Sequence, residues 1–82
     1  MLKIRLPRKM SRIEGKNVLK CMQEILDRYG SVTVTDLFDL IDVPSVYTDN
    51  KSGWYSLKGA RVSLLRKDGA YRLILPYSER IL

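Results

Sequence analysis

No histidine occurs in these 82 residues. Its absence removes the commonest general base, the Ser–His and Cys–His nucleophile pairs, and most zinc sites. One cysteine, Cys21, leaves no internal disulfide, which fits a reducing cytoplasm. It falls at the margin of an apolar helical stripe, where a thiol acts as a small inert hydrophobe. The five glycines are scattered, so no phosphate-cradling glycine loop is present. Apolar runs are only a few residues long, and none could cross a bilayer. The opening stretch Met1-Leu2-Lys3-Ile4-Arg5-Leu6-Pro7 lacks the continuous apolar segment of a secretory signal. Carboxylates are few and poorly arranged for a cation. Asp36, Asp39 and Asp42 follow at three-residue steps, as a solvated helix face does, and Asp49-Asn50-Lys51 lacks the length and closing glutamate of a calcium loop. The expectation is a protein without catalytic residues, metal or cofactor, and without a membrane partner.

What is present is ordinary for a globular chain: 45% apolar and 29% charged residues, enough for one domain over 1–82 and no second. A core this thin should give a stability on the order of 5 kcal/mol. The net charge of +6 is unevenly placed. Residues 1–20 hold Lys3, Arg5, Arg8, Lys9, Arg12, Lys16 and Lys20 against Glu14 alone, while the other 62 residues carry eight groups of each sign. Such asymmetry points to an acidic surface or nucleic acid; a solubilising face is the bland alternative.

The periodicities predict an α+β fold in the order β-α-β-α-β-β. Leu2, Ile4 and Leu6 alternate with Lys3 and Arg5 as a half-buried strand does, and Pro7 stops it; residues 1–10 form this basic strand or arm. Ser11 followed by Glu14 has the form of a capping box. Gly15 weakens the first helical turn, by about 1 kcal/mol relative to alanine, and could delay the start. Val18, Met22, Ile25, Leu26 and Tyr29 make one apolar stripe, and Gly30 is placed to end the helix in a left-handed conformation. Ser31 to Thr35 alternates as a short strand. Thr35 can then cap a second helix, with Asp36 at its positive end. That helix must be short, because Val43 precedes Pro44. Ser45 to Gly53 reads as a loop. The alternations Val62, Leu64 and Tyr71, Leu73, Leu75 around Lys67-Asp68-Gly69 make a hairpin, and residues 77–82 read as a tail.

Trp54 and Tyr55 follow the polar loop. Both types anchor interfaces, but a lone tryptophan in a small chain is most often core. Trp54 is therefore expected as the structural anchor, turned back by a positive φ at Gly53, and Tyr55 as the exposed partner contact.

The pattern Arg28-Tyr29-Gly30, Val32-Thr33-Val34, Asp36-Leu37-Phe38-Asp39-Leu40, Tyr47-Thr48-Asp49-Asn50-Lys51, Gly53-Trp54, Leu57-Lys58-Gly59-Ala60, Val62 and Gly69 to Pro76 resembles a known domain. It stands at the C-terminal end of uncharacterised proteins of actinobacterial phages and related mobile elements. The likeness covers about residues 18 to 76. The chain departs from it at Ser52, where an aromatic residue is usual, at Arg72, and in its more basic arm. The resemblance implies an origin and a fold but no activity, and a place in the host cytoplasm or the virion. The expected role is an interaction module docking on a protein partner. The alternatives are a small nucleic-acid-binding domain of loosely winged-helix form and a minor virion component. Contacts are expected from Lys3, Arg5, Arg8, Lys9, Arg12, Lys16, Lys20 and Tyr55. The acidic helix 36–42 speaks against a winged-helix recognition helix.

Overall fold

The computed structural model describes residues 2–7, 9–44, 51–65 and 69–81. Eight elements follow one another: β1 (Leu2–Arg5), α1 (Arg12–Tyr29), β2 (Val32–Thr33), α2 (Val34–Leu40), β3 (Ser52–Trp54), β4 (Arg61–Leu65), β5 (Ala70–Leu75) and β6 (Glu79–Arg80). They build two antiparallel three-stranded sheets, in the orders β1-β5-β4 and β2-β3-β6. The α+β class and the closing hairpin agree with the sequence reading. A radius of gyration of 12.1 Å is that of a compact chain of this length, for which about 12 Å is usual.

The ends of α1 are set by local chemistry. Ser11 accepts a hydrogen bond from the Glu14 backbone N–H at 3.2 Å, and Gly30, at φ 82°, donates its N–H to the Leu26 carbonyl at 2.8 Å. Gly15 does not delay the helix. It closes the first turn, where the helix touches the first sheet: a Cβ at Gly15 would lie 3.0 Å from Leu6 Cδ1 and 3.2 Å from Val62 Cγ2. Glycine thus exchanges helix propensity for a close approach. The stripe Val18, Met22 and Leu26 is buried and Ile25 half-buried, but Tyr29 is 71% exposed, because the last residue of the helix overshoots the core.

The second helix starts earlier than expected. Thr33, not Thr35, is its cap: Thr33 Oγ1 accepts from the Asp36 N–H at 3.0 Å, and the Asp36 carboxylate accepts from the Thr33 N–H at 3.0 Å. This reciprocal box satisfies two helix-end donors at once, so it displaces a cap that offers one. The helix ends before proline is reached. Asp42 stands at φ 59°, and the N–H groups of Asp42 and Val43 reach back to the carbonyls of Asp39 and Phe38 at 3.3 and 2.9 Å, a Schellman end.

Two expectations at the second sheet are corrected. Ser52–Trp54 is a strand rather than loop, and the supposed tail supplies β6, pairing Ser52 with Arg80 and Gly53 with Glu79. Residues 45–50 and Lys67-Asp68, read as loop and turn, lie outside the described residues. Gly53 is needed for space, not for a turn: a Cβ there would overlap the Val32 carbonyl oxygen and Ile81 Cδ1, and its φ is not positive.

The core joins both sheets to the helices through Leu6, Met22, Leu37, Ile41, Leu73 and Leu75, among others. Leu64, expected inward, is 50% exposed. It pairs with Tyr71 near the hairpin turn, one step beyond Val62, where Gly15 already marks the start of the helix cover.

Candidate functional site

Strand alternation gives the β1-β5-β4 sheet two unlike faces. Leu2, Ile4, Leu6, Val62, Tyr71 and Leu73 point to the core beneath α1. The alternate positions, Lys3, Arg5, Arg61, Ser63, Ala70, Arg72 and Ile74, share the outer face, with Leu65 at the position opposite Ala70. Lys3, Arg5 and Arg61 are exposed and Arg72 is half-buried. Among the described side chains of that face none is acidic. Register brings the charges together: Arg5 stands opposite Arg72, which stands opposite Ser63, and Ile74 lies between Lys3 and Arg61. Neighbouring strands are about 4.8 Å apart and alternate residues about 7 Å, so four cations occupy a patch roughly 10 Å across. Ile74 and Ala70 are only 4% and 3% exposed on this side.

The Arg5–Arg72 juxtaposition runs against sheet energetics. The Leu6 N–H donates to the Tyr71 carbonyl at 3.0 Å, which makes 6/71 a hydrogen-bonded pair and 5/72 the adjacent non-hydrogen-bonded one. In such a pair the side chains come closest, and like charges directly opposite destabilise the sheet. Arg72 bears a further cost, since its Nε is buried and makes no hydrogen bond.

The other expected contacts lie elsewhere. Arg12, Lys16 and Lys20 repeat every four residues and form an exposed stripe along α1. Since α1 covers the inner face of the sheet, Lys3 and Arg5 are on a different surface from Arg12, Lys16 and Lys20. Lys9 is exposed and lies 3.9 Å from Asp42; Arg8 is outside the described residues. Arg61 and Arg72 were missed as site residues. Their signal was available as the polar half of the hairpin alternation, which only the register with the first strand turns into one face.

Trp54 is 2% exposed and its Nε1–H donates to the Pro76 carbonyl at 2.7 Å, tying the second sheet to the end of β5. Tyr55 is 51% exposed, and its hydroxyl donates to the Ile81 carbonyl at 3.1 Å. Tyr55 also lines an open groove with Gln23, Leu26, Asp27, Leu57 and Lys58. Among the described residues no group of three or more potential metal ligands gathers, and no helix is long and apolar enough to cross a membrane. No family model matches the chain, and no curated protein or solved structure is similar enough to stand as a relative.

Proposed function

We propose that this chain is a non-catalytic interaction module of a phage or mobile element, acting in the host cytoplasm or the virion, that docks an acidic partner on the outer face of the β1-β5-β4 sheet. One observation carries the reading: register gathers Lys3, Arg61 and Arg72, beside Arg5, on one face whose described side chains include no acid. A surface of one charge sign draws and orients a partner of the other.

The winged-helix mode finds no support in α2. It has seven residues, its Asp36 is engaged in the cap, Asp39 is exposed, and Asp42 follows. The test compares variants of equal net charge. Lys3→Gln with Arg61→Gln removes two cations from the sheet face; Lys16→Gln with Lys20→Gln removes two from the helix stripe. On an immobilised anionic polymer the face variant should elute at clearly lower salt than the stripe variant. Equal elution would leave net charge as the whole effect and remove the docking face.

A further inference from the structure

The occupant of this face follows from what else it carries. Resting on the docking reading above, we infer that the outer face of the β1-β5-β4 sheet binds the phosphate backbone of duplex nucleic acid without reading its sequence. Among the described side chains the large exposed apolar ones are Ile13, Tyr29, Tyr55, Leu64 and Tyr77, and none of these stands at an outward position of this sheet. Protein interfaces place buried apolar or aromatic anchors at their centre, and the described part of this face offers none. Protein–DNA interfaces are more polar and far more positive, which this face matches. Single-stranded nucleic acid is held by stacking its bases on exposed aromatic rings, and among the described outward side chains there is no aromatic. What remains is a group of cations, of which Arg61 and Arg72 carry guanidinium groups suited to bidentate contact with phosphate oxygens. Such contacts position a duplex but carry no sequence information.

The experiment titrates a labelled 20-base-pair duplex with the whole chain across a salt series, with two unrelated duplex sequences, the equivalent single strand and polyglutamate as parallel probes. Three phosphate contacts, from Lys3, Arg61 and Arg72, give a slope of log affinity against log salt of about −2.7, so raising salt from 50 to 200 mM should weaken binding roughly fortyfold. Lys3→Gln and Arg61→Gln should each reduce the slope by about one, whereas Lys16→Gln and Lys20→Gln should leave it nearly unchanged. Both duplexes should bind alike, and the single strand less tightly. Tighter binding of the single strand would overturn the duplex assignment, and so would a slope that responds to the helix stripe rather than the sheet. Binding of polyglutamate alone, weakened by the face variants, would overturn the nucleic-acid inference and leave the acidic-partner reading standing. No binding to any probe at 50 mM salt would end both. Lys3 and Arg61 are exposed, so thermal melting of these variants should match that of the parent chain.

Discussion

Trp54 and Arg72 show the two directions in which a single side chain can act on so small a core. The indole is 2% exposed and donates to the Pro76 carbonyl at 2.7 Å, so its removal loses packing and leaves a polar atom without its partner. Trp54→Ala should cost about 3–5 kcal/mol, comparable with the expected total, and urea unfolding should find much of the population unfolded before denaturant is added. Emission of the parent protein should be blue-shifted and resist iodide, while an exposed indole would give red-shifted, readily quenched light. Arg72 should behave in the opposite way. Arg72→Leu keeps an aliphatic stem beside Ile74, ends the like-charge pairing with Arg5 and removes the buried Nε that makes no hydrogen bond. Stability should rise by roughly 0.5–1 kcal/mol in the same urea assay, while the salt slope for duplex binding becomes shallower. A loss of stability would show that the guanidinium is part of the fold and not an imposition on it.

Helix and strand ends follow the same local chemistry, and they also show how far the sequence could be read. Asp42 holds φ 59° at the end of α2, a conformation that glycine adopts without strain. Asp42→Gly should therefore stabilise the chain by about 0.5–1 kcal/mol in chemical denaturation. The lost contact with Lys9 takes little back, since the pair is exposed and 3.9 Å apart. Thr33→Ala should cost about 1 kcal/mol by removing the cap, whereas Thr35→Ala should cost less, which separates the observed cap from the one expected. The long helix, its glycine end and the hairpin were legible because each repeats a signal: a stripe over 18 residues, or alternation on both sides of a turn. Two-residue strands carry no such signal. Residues Glu79–Arg80 are both exposed and join the sheet through backbone groups opposite Gly53, so the side-chain pattern is silent about them. The cationic face was half legible. Lys3 and Arg5 stood out by charge density, but the basic excess of the stretch that holds Arg61 and Arg72 is offset by the acidic residues before it, and these two join Lys3 and Arg5 only through pairing across some seventy residues of chain.

At the scale of the whole molecule, the two sheets share no strand, yet they are fastened in two ways. Helix α1 packs on β2 of one sheet and on β4 and β5 of the other, and its Met22 is completely buried. The Trp54 indole, rooted in β3, bonds the carbonyl of Pro76 at the exit of β5. The second sheet is not large enough to stand alone: β2 and β6 have two residues each and β3 has three. The chain should therefore unfold as one unit. Tryptophan emission reports the second sheet, through Trp54, and far-ultraviolet circular dichroism is dominated by the 18 residues of α1. In a urea titration the two curves should superimpose, with one midpoint and an m value of about 1 kcal/mol/M. A fluorescence transition at clearly lower urea would mean that the second sheet opens while α1 and the β1-β5-β4 sheet hold. The cationic face would then be carried by a smaller folded unit than the chain itself. A single shared transition means instead that the grid of Lys3, Arg5, Arg61 and Arg72 stays rigid only while Trp54 is in place. On that arrangement Trp54→Ala should weaken duplex binding in step with the folded fraction, without changing the salt slope of the molecules that remain folded.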